Sequence, residues 1–418
     1  MTCDIDDLVP PLVALRHDLH AHPELAFAEH RTAAKLADAL RAAGLSVHTG
    51  IGGTGLVAVL KRGSSARSIG LRADMDALPM QEQTSLAYAS RTPGIFHGCG
   101  HDGHVAMLLG AAQHLARAGE FDGTVHFIFQ PAEEGWGGAR AMIQDGLFER
   151  FPCDRVFALH NWPDLPAGTV ATRPGPIMAA ADKFEILIEG DGGHAAQPHK
   201  TPDAILAACN LVAQLNCIVS RRIPPTASAV LSVTRIEGGN SHNVLPAAVR
   251  VLGTVRSFDP AVQDRIEASL RQIAEGVAHA SGTRASVTYE RYYPAAINDA
   301  EAAAEALAAA ATVACAESAL EPAFTAEDFA FMLQVCKGAY LWLGQGRSDA
   351  DAPLHHPDYD FNDDILATGI RLHTALVERH LCREPLSAIN TPSDSATANS
   401  GSDPRSVRSS SAPTQLKR

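Results

Sequence analysis

The sequence predicts an α/β protein: a central, mostly parallel sheet with helices on both faces, plus an inserted ferredoxin-like unit of order β-α-β-β-α-β. Three observations carry this expectation. Short apolar runs alternate with longer segments of helical spacing over residues 55–160, the pattern of parallel strands joined by crossover helices. Polar residues follow directly on those runs, at Asp74/Asp76, Glu133/Glu134 and His160, where ligands gather in open α/β sheets. After about residue 182 the order becomes strand, helix, two strands, helix, strand, the split βαβ arrangement.

Residues 8–22 have spaced apolar positions and read as a helix, and a second helix at 30–43 stops at Gly44, a natural terminator. Strands follow at 55–60 and 68–72, a helix at 105–116, a strand at 125–130, a helix near 137–149 and a strand at 156–159 ending at His160. The inserted unit has strand 183–189, helix 202–220, strands 228–236 and 247–257, helix 260–279 and strand 285–292. An Ala-rich helix at 299–318, a short helix at 327–335, a strand at 339–343 and a helix at 363–382 return to the first domain. The expected division is a catalytic domain of residues 1–182 and 293–386, an insertion of 183–292, and a tail of 387–418. The tail is Ser, Thr, Ala, Asn and Pro without apolar periodicity, so it reads as disordered.

A chain of 418 residues exceeds what one core supports, so two domains are the prior. With 47 acidic and 34 basic residues the formal charge is −13, and no basic surplus exists to neutralise nucleic-acid phosphates or an anionic membrane. The acidic start, Met1-Thr2-Cys3-Asp4, lacks a signal-peptide pattern, and no apolar run is long enough to span a membrane. Eight scattered cysteines, mostly in apolar runs, read as reduced buried thiols of a cytoplasmic protein, Cys99 being the exception.

The chemistry concentrates in His97-Gly98-Cys99-Gly100-His101-Asp102-Gly103-His104. Residues two apart in an extended segment face the same way, so Cys99 and His101 can meet one point in space. Thiolate, imidazole and carboxylate are the donors that hold zinc-like divalent ions. A single histidine in a glycine-rich turn is usually structural; three imidazoles, a thiol and a carboxylate in eight residues reverse that preference. In an extended segment the adjacent Glu133 and Glu134 point apart, leaving one to bind metal and the other free as a base. His160 after its strand, and His355 or His356 in Leu354-His355-His356-Pro357, complete the donors. Asp76 is read two ways: as a hydrogen-bond partner of a ligand histidine, or as a helix cap.

The segments RADMDALP (72–79), HGCGHDGH (97–104), FQPAEEG (129–135), GGHAAQPH (192–199), NVLPAAVRVLGTVRSF (243–258) and LHHPDYDFND (354–363) resemble, in order, those of the M20 metallopeptidase superfamily. The likeness covers residues 12–385 and is nearest to the hippurate-hydrolase branch, subfamily D, which includes N-acyl-amino-acid amidohydrolases and auxin-conjugate hydrolases. The resemblance implies that Cys99, His101, Glu134, His160 and His355 hold two divalent ions, with Cys99 bridging and Glu133 as general base. It also implies that His194 stabilises the oxyanion in a partner subunit's site, and that Asn243 and Arg256 hold the substrate carboxylate. The implied partners are a small N-acyl amino acid and a second copy of the chain, as homodimer or tetramer.

Branch membership points to manganese, whereas a thiolate favours softer ions, so Mn2+, Zn2+, Ni2+ and Co2+ all stay open. The expected reaction is hydrolysis of an N-acyl amino acid to a carboxylic acid and a free amino acid. A dipeptidase or specific deacylase would share the metal set, and a non-catalytic binder would have no use for Glu133. No Gly-x-Ser-x-Gly segment supports a serine hydrolase.

Overall fold

An eight-stranded sheet forms the centre of the protein, in the order Ser46–Ile51, Gly55–Arg62, Gly123–Gln130, Ser68–Asp74, Arg155–Pro166, Gly338–Gly346, Thr169–Ala171 and Cys315–Glu317. The computed structural model describes residues 4–318, 321–347 and 351–382; the tail expected at 387–418 lies outside the described residues. The middle strands pair in parallel, 123–130 with 68–74, 68–74 with 155–166, and 155–166 with 338–346, while the edge hairpin 46–62 is antiparallel. Strand Ser68–Asp74 is buried along its whole length, as expected of a strand covered on both faces.

The crossover helix His101–Ala118 is buried on nearly all sides because it lies between the sheet and the helices Ile5–Ala21 and Leu366–His380. Gly110 permits that closeness: a Cβ there would lie 2.6 Å from Leu12 Cδ1 and 2.7 Å from Ile370 Cδ1. From strand 68–74 the chain moves to one neighbour, 123–130, then crosses back to the other, 155–166. That reversal opens a crevice at the carboxyl end of strand 68–74.

Residues 180–293 build a second, antiparallel sheet in the order Ala229–Glu237, Ala248–Ser257, Ala180–Glu189, Arg284–Tyr293. Helices Ala204–Leu215 and Pro260–Ser281 pack on one face, burying Phe184, Ile186, Ile188, Leu211, Val251, Val255 and Leu270 in a core of its own. This is the expected ferredoxin-like arrangement.

Several boundaries differ from expectation. The helix expected near 137–149 is two pieces, Gly138–Gln144 and Leu147–Arg150, preceded by a short turn of helix at Glu133–Trp136, because Gly137 and Gly146 take φ of +70° and +83°. The Ala-rich helix ends at Ala310, and Cys315–Glu317 pairs with Thr169–Ala171 instead, where an open sheet edge outweighs propensity. The strand holding His160 continues to Pro166. Short strands at Ser46–Ile51, Thr169–Ala171, Gly175–Met178 and Ala296–Asn298 had no alternation strong enough to announce them. The cysteine expectation is partly reversed. Cys99 and Cys336 are buried, but Cys209, Cys217, Cys315 and Cys382 are exposed, since an apolar neighbourhood in sequence does not say which side of an element faces the core. No helix among the described residues is long and apolar enough to cross a membrane.

Candidate active site

The crevice collects donors from four segments. Asp74 ends its strand; Cys99 and His101 flank the start of the crossover helix; Glu133 and Glu134 follow strand 123–130; His160 stands within strand 155–166. Gly100, the residue before that helix, has φ +89°, a conformation that favours glycine. A Cβ there would also fall 2.5 Å from Asn161 Oδ1 and 2.6 Å from the Tyr359 hydroxyl. Glycine therefore makes the turn between Cys99 and His101, whose donor atoms fall in two separate groups that share Glu134.

Cys99 Sγ lies 3.5 Å from His160 Nε2, and His160 Nδ1 contacts the Asn161 carbonyl at 2.7 Å, which orients the ring. His101 Nδ1 is held by the Asp76 carbonyl at 2.9 Å, with Asp76 Oδ1 3.3 Å away. Its Nε2 is buried and makes no hydrogen bond; Asp74 Oδ2 and Glu134 Oε1 stand at 3.7 and 3.9 Å. His355 Nε2 reaches Glu134 Oε1 at 3.1 Å. His355 has φ +63°, a strained value for a non-glycine residue, and its N–H donates to Gly98 O at 2.8 Å. That bond joins the late segment to the Cys99 loop. Cys99, Glu134 and His355 offer donor atoms within 4.8 Å of one another, as do His101, Glu133 and Glu134.

The two glutamates do not point apart. Ala132 at φ +55°, Glu134 at ψ +70° and Gly135 at φ +86° bend the segment out of an extended form, so both carboxylates approach His101. Asp76 is not the N-cap of a helix: its backbone carbonyl holds His101, one carboxylate oxygen stands 3.3 Å from the same ring nitrogen, and the other accepts the Glu134 N–H at 2.9 Å. His104 is committed elsewhere, with Nδ1 2.5 Å from Asp74 Oδ1 and Nε2 2.6 Å from Asn161 Oδ1.

Sequence reasoning missed Arg72 as a site residue, and Glu327 and Asp328 entirely. The buried Arg72 guanidinium donates to Asp74 (2.7 Å), Gln130 (2.7 Å), Glu327 (2.8 Å) and Asp328 (3.2 Å). Asp328 N–H donates to Glu133 Oε1 at 3.2 Å. The available signal was an acidic pair abutting the apolar stretch from Phe329, the same arrangement as Glu133/Glu134.

Electrostatics follow from this crowding. Burial, then Glu327 and Glu134, pushes the Glu133 carboxyl well above the usual range. Burial and the carboxylates Glu134 and Glu133 push the Cys99 thiol up. Burial alone would lower His101, but Asp74 and Asp76 outweigh it and raise the imidazole to about 10. Burial drives His160 well down, leaving it neutral and able to ligate. The donors fit divalent cations: a buried imidazole nitrogen without a hydrogen bond on His101 and the Cys99 thiol lie in two donor groups joined by Glu134, and cations there would displace the protons they hold.

These residues line a cavity of about 540 Å³ that contains Cys99, Glu133, Glu134, His160, His355 and Arg256. His194 and Asn243 are not among its lining residues. Both are exposed, His194 on the short ladder where Gly193–His194 pairs with Val244–Leu245 and Asn243 just before it. Ala195 N–H donates to the Asn243 carbonyl at 3.1 Å.

Residues 70–379 match Peptidase family M20/M25/M40. The chain belongs to this family. The M20 chain is 39% identical to the hippurate hydrolase of Campylobacter jejuni over 381 residues, covering 90% of this chain and 98% of that protein. It is 38% identical to the N-acetylcysteine deacetylase of Bacillus subtilis over 360 residues, covering 86% and 93%. A crystal structure from Bacillus subtilis, described as a dinuclear metal binding peptidase of the M20 family, superposes with TM-score 0.79 at 34% identity over 90% of this chain and 99% of that one. This M20 chain is a metal-dependent hydrolase of amide bonds, with donors for two divalent ions.

Proposed function

We propose that the protein hydrolyses the amide bond of N-acyl amino acids, with hippurate-like compounds in its range. The observation that carries this reading is the placement of Glu133: a buried carboxyl that lines one cavity together with the donors Cys99, Glu134, His160 and His355 and with Arg256. Cys99, His101, Glu134, His160 and His355 would hold the two ions. When bound, such ions acidify water and polarise the scissile carbonyl. Glu133 accepts a proton from the attacking water and returns it to the leaving amine. Asp328 N–H on Glu133 Oε1 and Tyr293 OH on the Glu133 carbonyl at 2.6 Å keep that carboxyl in place. Arg256 binds the carboxylate of the amino-acid half.

Residues 183–292 serve as a dimerisation domain in this reading. His194 and Asn243, remote from the cavity of their own subunit, complete the site of the other one in a homodimer, or a tetramer built from it. A reducing cytoplasm suits the Cys99 thiolate. The ions are drawn from Mn2+, Zn2+, Ni2+ and Co2+.

The test is hydrolysis of N-benzoylglycine and N-acetyl amino acids, before and after chelation and with each metal restored. The same assays are run on Glu133→Gln with its metal content measured. Chelation-sensitive cleavage that disappears in the variant while metal stays bound is expected. Bound metal with cleavage of dipeptides but of no acyl amide would replace this reading by a dipeptidase.

A further inference from the structure

Two cations face the cavity from the second sheet, and the reaction described above uses one. Strand Ala180–Glu189 pairs with Ala248–Ser257 so that Lys183 stands directly opposite Thr254, and Arg256 is the diagonal neighbour on the same face. Diagonal neighbours of this kind are roughly 7–8 Å apart. Lys183, Thr254 and Arg256 all line the cavity that holds Glu133, while the opposite face of the sheet carries the apolar core against its helices.

Arg256 Nη1 donates to Thr254 Oγ1 at 2.5 Å and to the Val255 carbonyl at 3.0 Å, which aims the guanidinium. The Lys183 ammonium sits 3.6 Å over the Tyr292 ring, and Tyr292 lines the same cavity. Neither cation forms an ion pair among the described residues, although Asp182, which also lines the cavity, acts on Arg256 at longer range and Glu290 is the cross-strand neighbour of Lys183 on its other side. Elsewhere on this sheet the exposed cations are paired: Arg250 with Glu185 and Glu237, and Arg291 with Asp264 and Glu267. The two unpaired cations are therefore the two that look into the cavity.

We propose that Lys183 is a specificity-determining residue that binds a second carboxylate on the amino-acid half of the substrate, so that N-acyl aspartate and N-acyl glutamate are the preferred class. This rests on the amidohydrolase reading above. The chemistry is direct. Arg256 takes the α-carboxylate by its planar fork. The side-chain carboxylate, two or three carbons further on, extends along the same sheet face toward the ammonium at Lys183. Tyr292 stabilises that ammonium through its ring and leaves its donors free.

The experiment measures kcat/KM for N-acetylglutamate, N-acetylaspartate, N-acetylleucine and N-succinylglycine with the metal-loaded enzyme and its Lys183→Gln and Lys183→Arg variants. The expected result is a preference for the first two over N-acetylleucine that falls about tenfold in Lys183→Gln through KM, as loss of one charge-assisted contact predicts. Lys183→Arg should restore most of it. An unchanged glutamate-to-leucine ratio in Lys183→Gln, or a preference for N-succinylglycine, overturns the assignment while leaving the amidohydrolase reading intact. Failure to cleave any of the four, with N-benzoylglycine also uncleaved, overturns the reading itself.

Discussion

The floor and the wall of the cavity are built on opposite plans. The floor, at the carboxyl ends of the large sheet, is buried and over-determined. Asp74 is tied to Arg72 and His104, His101 to Asp76, and His355 to Gly98 through the backbone. The wall, contributed by the second sheet, carries its polar groups on exposed strands and loops, with His194 and Asn243 outside the cavity altogether. Leaving buried polar groups unpartnered is costly, so most of the floor's are tied in place, His101 Nε2 and Asp76 Oδ1 being left without a hydrogen bond. Exposed ones carry no such penalty, so the wall is free to vary with substrate and to be completed from elsewhere.

The sharpest way to break this comparison is at Glu133. Glu133→Gln should lower kcat by about 10²–10⁴-fold, the range of a lost general base, with metal content unchanged by elemental analysis. Next is the brace beneath the floor. Arg72→Met leaves Asp74, Glu327 and Asp328 without their counter-ion and should cost roughly 3–5 kcal/mol in denaturant unfolding. If the variant is as stable as the parent, the floor is not braced by this residue.

Buried imidazoles of the floor's own sheet and helices give a pH signature. Burial pushes His126 down to about 4 and His373 to about 3, below the ordinary 6.5 of the unfolded chain. Because the unfolded state binds the proton more readily, stability is full above pH 6.5 and declines as pH falls toward 4. His126 contributes about 3 kcal/mol of that decline, at about 1.4 kcal/mol per pK unit. His126→Leu should flatten the stability-against-pH curve in this window; an unaltered slope would show that His126 does not titrate there.

The smallest effect belongs to the wall. His194→Ala should reduce kcat about 10²-fold, typical of one lost oxyanion donor, without altering unfolding. Mixing His194→Ala with Glu133→Gln subunits should then regain part of the activity, because a mixed dimer holds one site with both residues intact. No regain would place His194 in its own subunit's reaction, or in none.

Much of the floor was legible along the chain. The strand-then-polar pattern located Asp74, Glu133, Glu134 and His160, and the Cys99 to His104 cluster announced a cation site by composition alone. The second sheet was legible as an order of elements. Less was readable where side chains are selected by distant partners. That Arg72 clamps Glu327 and Asp328, 255 and 256 residues away, leaves no local mark. Nor does the bend at Ala132 and Gly135 that turns two adjacent glutamates toward one imidazole.

What the sequence determined by itself is the class of fold, the kind of chemistry and the candidate donors, because these depend on periodicity and on residue types set close together; the choice of ligands among those candidates came from the family resemblance. The tertiary structure alone decided which donors remain free. His104 is used up by Asp74 and Asn161, whereas His101 keeps a buried nitrogen without a partner. The reason is physical: what an imidazole can still bind depends on the neighbours that already hold its nitrogens, and those neighbours come from strands that meet only when the sheet is assembled.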